Sequence, residues 1–382
     1  MTSDPTLRVV YVINGLGTGG AERSLAELLG PLRERGIRIG VVCLERRKEG
    51  VEAQVVTGHE VSFVGPGLMR SWQGIRRAIS AAKPHLIHTT IFESDVLGRL
   101  ASIGTGVPVV SSIVNTSYDL PLGGHPDVPP AKLRVVRAID GFTARHLVTR
   151  FHALTRASAT AGARALGVSP DLIDVIPRGR DVSRLGEPSP ARRARVRSQL
   201  DLPGDRYVML SVGRQEHQKG QLHAIEALAT IAARHPDALL LVAGREGAAT
   251  GRLRDRVRNL GVNGSVRWLG HRDDLPDLMA ASDVLLFPSL YEGFGGTVIE
   301  AMALGLPVVA SDIPTLVEVT SDAAIMTEVG SASALADAVF ELRDDPTLAA
   351  RLSSAGRARF SSQYTIDAVA DQMADFYRAV AT

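Results

Sequence analysis

Short runs of β-branched and aliphatic residues recur along this chain, and most are followed by a glycine or polar turn and then by a stretch with helical periodicity. Such alternation is the pattern of parallel strands covered by helices. Before the midpoint it places strands at 8–13, 37–44, 61–64, 86–89, 107–114, 153–155 and 173–176, with helices near 21–35, 72–83, 94–103, 131–147 and 158–166. A break follows at Gly186-Glu187-Pro188-Ser189-Pro190, and the cationic run Arg192, Arg193, Arg195, Arg197 comes after it. The alternation then restarts, with strands at 207–212, 238–242, 266–268, 284–287 and 308–310 and helices near 222–234, 251–260, 275–281 and 298–304. Beyond Ser331 only helices are expected, at 333–343, 347–360 and 366–381. The expected organisation is two doubly wound domains, 1–185 and 206–360, with a linker at 186–205 and a helix at 361–382 that returns to the first domain. Open sheets of this kind bind ligands beyond the carboxyl ends of their strands, so the chemistry belongs in strand-to-helix turns.

Composition removes several function classes. A net charge of +2 gives no concentrated cationic footprint for a nucleic-acid backbone. The single cysteine, Cys43, excludes an intramolecular disulfide and a multi-thiolate metal site, and fits a reducing, cytoplasmic compartment. No segment reads as a secretion signal, and every apolar run is far below the ~18 residues needed to span a bilayer.

The first glycine turn is Gly15-Leu16-Gly17-Thr18-Gly19-Gly20, followed by Ala21-Glu22-Arg23. At a helix start bare N–H groups and the helix dipole favour an anion, and glycine permits close approach of a phosphate. Gly15, Gly17 and Gly20 also satisfy G-x-G-x-x-G, with Glu45 at the end of the next strand. An NAD-dependent oxidoreductase is therefore one reading, another phosphate or acceptor role a second, and a structural turn a third.

In the second half Gly213-Arg214-Gln215-Glu216-His217-Gln218-Lys219-Gly220 runs off a strand into a helix. An arginine fork and a lysine ammonium at a helix entrance suit a diphosphate, although a solvated charged loop explains them too. The chain has only four lysines, which makes Lys219 notable. Further on, Glu292-Gly293-Phe294-Gly295-Gly296-Thr297-Val298-Ile299-Glu300 joins a strand to a helix without filler. Carboxylates accept hydrogen bonds from sugar hydroxyls, and the glycines leave N–H groups for a polar ligand. The competing readings are an exposed turn acid for Glu292 and a capping box, Thr297-x-x-Glu300, for Glu300.

With these residues in view, the chain resembles the retaining glycosyltransferases of family 4. The resemblance rests on Gly17–Arg23, Leu97-Gly98-Arg99-Leu100-Ala101, Val175-Ile176-Pro177 through Asp181, Gly213-Arg214 with Lys219-Gly220, and the Glu292…Glu300 segment. It implies the GT-B fold, two facing Rossmann-like α/β domains with a cleft between them, and transfer from a UDP- or GDP-linked sugar to a saccharide, lipid-linked or small-molecule hydroxyl. Arg214, Lys219 and Glu292 are then the expected catalytic residues. The donor site is expected to comprise Gly17, Gly19, Gly20, Gly213, Arg214, Lys219, Glu292, Gly293, Phe294, Gly295, Gly296, Thr297 and Glu300, with Glu300 on the ribose. Retention is expected through attack on the leaving-group face of an ion pair. No cofactor beyond the nucleotide sugar is expected and no metal, in line with the absence of any Asp-x-Asp. A non-catalytic sugar-nucleotide binder and a GT-B epimerase are the other readings of the same resemblance.

The acceptor side departs from the family pattern. Asn115-Thr116-Ser117 stands where many relatives have a histidine, Thr90 replaces another, and Arg178-Gly179 replaces Asn-Gly. Asn115, Tyr118 and His125 are the expected acceptor-side residues. The segment 132–156 carries Arg134, Arg137, Arg145, Arg150 and Arg156 among apolar residues, which reads either as a solvated helix face or as a peripheral contact with an anionic membrane.

Overall fold

The computed structural model describes residues 6–47, 50–114, 129–203 and 205–382. The chain divides into two compact units: unit 1 is Met1–Asp181 with Tyr364–Thr382, and unit 2 is Val182–Gln363.

Unit 1 begins with β1 (Leu7–Ile13), α1 (Gly20–Glu34), β2 (Ile37–Cys43), α2 (Glu52–Gly58) and β3 (Glu60–Phe63). It continues with α3 (Leu68–Ala82), β4 (Leu86–Thr90), α4 (Phe92–Ser102), β5 (Val109–Ile113), α5 (Pro130–Leu147), β6 (Arg150–Ala153), α6 (Arg156–Leu166) and β7 (Ile173–Val175). The strands lie in the order β3-β2-β1-β4-β5-β6-β7, and each neighbouring pair is parallel. The strand expected at 153–155 is instead Arg150–Ala153, because Phe151, His152 and Ala153 pair with Ser111, Ser112 and Ile113. Thr155 lies beyond the strand and caps α6, its side chain exchanging hydrogen bonds with Ser158 in a capping box.

Central strands of a parallel sheet are buried on both faces, and β4 is buried along its length although it carries His88, Thr89 and Thr90. Buried polar groups need partners, and these have them. His88 Nδ1 is 2.6 Å from the Tyr377 hydroxyl and its Nε2 is 2.7 Å from Ser112 Oγ. Ser112 Oγ is 2.9 Å from His152 Nδ1, and His152 Nε2 is 2.9 Å from the Ile176 carbonyl. Burial pushes His88 well below the usual imidazole range; it also pushes His152 down, to about 4, against the opposing bond to Ile176 and with help from the Arg178 charge. Tyr377 belongs to the last helix of the chain (Ile366–Ala381), which buries Val369, Ala370, Met373, Ala374, Phe376 and Tyr377 against unit 1. Arg35 fixes that helix from outside, 2.6 Å from Asp371.

Unit 2 starts with α7 (Val182–Leu185) and α8 (Pro190–Gln199). Its sheet follows as β8 (Val208–Val212), α9 (Gln221–Arg234), β9 (Leu239–Ala243), α10 (Thr250–Asn259), β10 (Val266–Gly270), α11 (Leu275–Ala281) and β11 (Val284–Phe287). Then come α12 (Gly296–Leu304), β12 (Val308–Ser311), α13 (Pro314–Thr320), β13 (Ile325–Thr327), α14 (Ala332–Asp344) and α15 (Pro346–Gln363). The strand order is β10-β9-β8-β11-β12-β13. The segment 186–205, expected as a linker, contains α8. Ser189 accepts from the Arg192 N–H at 3.1 Å, and Pro190 sits in the first turn, where its missing N–H is harmless. The cationic run that follows is structural: Arg192 reaches Asp277 at 2.6 Å, and Arg193 and Arg197 share Asp283 at 2.6 and 2.9 Å. β13 and α13, both short, are not expected from the sequence.

Candidate functional site

In unit 2 the strand order reverses between β8 and β11, so the turns leaving these two strands flank one crevice at the carboxyl edge of the sheet. The first of them begins at Gly213, in the left-handed region at φ +149, with its N–H on the Ala243 carbonyl at 2.9 Å and its carbonyl accepting from Gln221 Nε2 at 3.0 Å. It ends at Gly220, φ +61, where a Cβ would lie 1.8 Å from the Pro288 carbonyl oxygen. No side chain fits there. That close approach joins the first turn to the second, helped by Leu290 N–H on the Gln218 carbonyl at 2.8 Å and Gln218 Nε2 on the Tyr291 carbonyl at 2.9 Å.

The junction brings Lys219 Nζ to 2.5 Å from Glu292 Oε1, and Ser289 Oγ donates to the same oxygen at 3.1 Å. The carboxylate is nearly buried and the ammonium is a quarter exposed. Lys219 Nζ also lies 5.7 Å from the centre of the Phe287 ring. Arg214 is not part of this pair. It stands on the solvent side of the turn, 69% exposed, with Glu216 at 3.4 Å.

Beyond Glu292, Gly293 and Gly295 are buried and Phe294 is only 2% exposed. Gly295, at φ +91, precedes the first residue of α12, and no side chain caps that helix. Thr297 lies inside the helix rather than before it, so Thr297-x-x-Glu300 is not a capping box. Glu300 is buried in the second turn, at 1% exposure, while Gly296 and Thr297 are half-buried. Turn acid and helix acid thus lie on one continuous strand–turn–helix unit.

Unit 1 has a corresponding reversal, between β1 and β4. Gly19 precedes α1 in an extended conformation and Gly20 begins it. A Cβ on Gly20 would lie 2.5 Å from Arg178 Nη1, so the glycine makes room for that guanidinium, and one on Gly19 would collide with the Glu22 carboxylate. The Gly17 carbonyl accepts from Val51 N–H at 3.3 Å. Glu45, the ribose acid of the dinucleotide reading, is ion-paired with Arg47. Asn14 is a residue that sequence reasoning misses: its Nδ2 donates to Glu93 at 2.7 Å and its Oδ1 accepts from Ser94 Oγ at 2.6 Å, tying the turn after β1 to the start of α4. Ile91, just before α4, has φ +77, strained for a β-branched residue and typical of functional turns. No residue pattern announces either feature. Asn115, Tyr118 and His125, expected on the acceptor side, lie outside the described residues.

Arg180 is structural, 3% exposed and 3.6 Å from Glu27. Three arginines of the 132–156 segment are also engaged: Arg137 on the Ala165 carbonyl, Arg145 on that of Leu166 and Arg150 on Asp174. Among the described residues no group of three or more His, Cys, Asp or Glu is placed to hold a metal ion, and no helix is long and apolar enough to cross a membrane.

Both units are similar to known proteins. Residues 19–179 match the glycosyl transferase 4-like domain, and residues 192–359 match the glycosyl transferases group 1 family. The 2-deoxystreptamine glucosyltransferase of Streptomyces kanamyceticus is 30% identical over 63% of this chain and 61% of its own length. The glycogen synthase of Mycobacterium tuberculosis is 34% identical over 72% of this chain and 63% of its own. The matches thus span less than two thirds of these relatives. The crystal structure of Anabaena HepE in complex with UDP-glucose superposes with a TM-score of 0.85 at 24% identity, covering 98% of this chain and 100% of that one, a likeness of fold. Two parallel-sheet α/β units, each matched to its own glycosyltransferase domain, establish that the chain belongs to the group 1 glycosyltransferases of the GT-B fold.

Proposed function

We propose that this protein is a retaining glycosyltransferase that moves a sugar from a UDP- or GDP-linked donor to a hydroxyl of a saccharide, lipid-linked or small-molecule acceptor. The observation that carries this reading is the Lys219–Glu292 pair, two oppositely charged groups 73 residues apart in sequence and brought to 2.5 Å at the carboxyl edge of one sheet. An ammonium next to the glycine-rich start of α12 suits a diphosphate, and a carboxylate at the same place suits the hydroxyls of the sugar it carries. Glu300, further along α12, is assigned to the ribose.

In the proposed reaction the bond between the anomeric carbon and a diphosphate oxygen breaks first. The acceptor hydroxyl then bonds to the carbon on the face the leaving group vacated, and its proton passes to the departing diphosphate. Stabilising the negative charge that develops on that diphosphate is the main demand, and fixed donors typically contribute ~10²–10³-fold to such steps. Lys219 meets it directly. Arg214, on the same turn, reaches the diphosphate by swinging away from Glu216. No prosthetic group or metal enters the scheme. A lipid-linked acceptor would bring with it peripheral contact with an anionic membrane surface.

The test is a thermal-shift panel with UDP, GDP, ADP, NAD and NADP, followed by transfer assays with sugars linked to whichever base binds. A ligand at 100 times its Kd stabilises by about 2.7 kcal/mol. UDP or GDP is expected to shift the melting of unit 2 in the parent and in Glu292→Gln, and transfer to be lost in Glu292→Gln. A shift with NAD or NADP alone, or undiminished transfer by Lys219→Met, would overturn the reading.

A further inference from the structure

We propose that the outer face of α3 carries a second anion site, which takes a phosphate group borne on a sugar or polyol. Here an open hollow of about 640 Å³ is lined by Trp72, Gln73, Arg76, Arg77, Ser80 and Lys83, within the ~300–1,000 Å³ typical of small-molecule sites. Pro84 and Val107 also border it, just before β4 and β5. It therefore lies at the amino edge of unit 1's sheet, whereas the glycine turn leaves β1 at the carboxyl edge. Five residues of β4 separate the two edges by about 17 Å at ~3.3 Å per residue.

Folding accounts for some of the cations here, which hydrogen-bond helix-end carbonyls, but not for Arg77 and Lys83. Arg76 is fixed: its guanidinium donates to the carbonyls of Ala101 and Ile103 at 3.3 and 2.8 Å and lies 5.7 Å from the centre of the Trp72 ring. Arg77 and Lys83 are exposed, and neither side chain has a carboxylate partner among the described residues. The sequence has no Asp or Glu between Glu60 and Glu93. Arg8 adds a fourth cation alongside, bound to the Lys83 carbonyl at 2.8 Å. The dipole at the end of α3 favours one positive charge near Lys83, but not a cluster on one side of the helix. A phosphate would neutralise the cluster through charge-assisted hydrogen bonds, and the Trp72 ring offers a flat apolar face to the ring that bears it. The phosphate has two possible carriers, a soluble phosphosugar or a lipid headgroup.

The chain has two tryptophans, so Trp268→Phe leaves Trp72 as the sole reporter, blind to events in unit 2. Its fluorescence would be titrated with glucose 6-phosphate, with glucose, and with vesicles of phosphatidylglycerol or phosphatidylcholine. Saturable response to glucose 6-phosphate but not glucose assigns a soluble carrier; response to phosphatidylglycerol vesicles alone assigns a lipid. In either case the double variant R77S/K83S should weaken the response at least about tenfold, the size expected for losing charge-assisted hydrogen bonds. An unchanged response in R77S/K83S, an equal response to glucose, or none to any charged probe would overturn the proposal. Should Trp268→Phe fold poorly, the signal of the parent minus that of Trp72→Phe gives the same readout.

Discussion

The Lys219–Glu292 pair can be measured by a double-mutant cycle on stability. Removing one partner of a fully buried ion pair costs about 3–5 kcal/mol. Lys219 retains a quarter of its exposure and Glu292 a tenth, so water screens the charge left behind. Lys219→Met is therefore expected to cost about 2 kcal/mol, and Glu292→Gln, whose amide oxygen still accepts from Ser289, about 1 kcal/mol. The double variant should cost about 1.5 kcal/mol rather than the sum, because the single changes each strand a group that the double change removes. With two units present, a global melt is not a two-state quantity. Trp72→Phe leaves Trp268, in β10, to report unit 2 alone. For a domain of this size the Lys219→Met loss corresponds to a Tm drop of about 4–8 °C. Additivity of the single effects to within about 0.5 kcal/mol would refute the claim that the two groups interact in solution.

Three further outcomes are expected. His152 is held neutral with its pKa depressed to about 4, so the stability it contributes is present above about pH 6.5 and is lost as pH falls from there toward 4, about 3 kcal/mol in all; the difference between the parent and His152→Gln in urea unfolding at each pH isolates it, and parallel curves would contradict it. Gly220→Ala should destabilise unit 2 by at least about 2 kcal/mol and weaken nucleotide binding, since Cβ would meet the Pro288 carbonyl at 1.8 Å in a backbone conformation that alanine disfavours; normal melting and binding would show that the turns are not joined there. Arg99→Met should cost about 3 kcal/mol, because buried Asp140 loses the guanidinium at 2.6 Å while Asp95, already raised to about 7 by burial, loses the charge that holds it down and takes up a proton; chemical denaturation followed by Trp72 would read this directly.

Much of the architecture is legible in the sequence because the signal is periodic and local. Both parallel sheets follow from strand, turn and helix repeating along the chain, and Gly213, Gly220 and Gly295 mark turns whose backbone does take positive φ. Single residues of the candidate site stand out in the sequence, but the way they come together does not. Lys219 and Glu292 each stand out, yet their contact depends on β8 and β11 being neighbours, which no spacing between them encodes. Arg214 looks equivalent to Lys219 in sequence, but it points to solvent. Within 186–205 Pro190 reads as a helix breaker, whereas in the first turn, after a Ser189 cap, it starts α8. Asn14 leaves no trace in composition, because its bonds to Glu93 and Ser94 are made across the β1–β4 reversal.

Tyr377 closing on His88 also constrains the order in which the molecule is made. Unit 1 consists of two stretches of chain with all of Val182–Gln363 between them. During synthesis the strands of unit 1 emerge first, yet the helix that covers Tyr11 and His88 arrives only after unit 2 has left the ribosome. Until then the unit has an apolar face with no lid, which chaperones would recognise. Cutting the gene between the two units would make that transient state permanent, so an isolated unit 1 should be expressed with residues 364–382 supplied, by fusion or in trans.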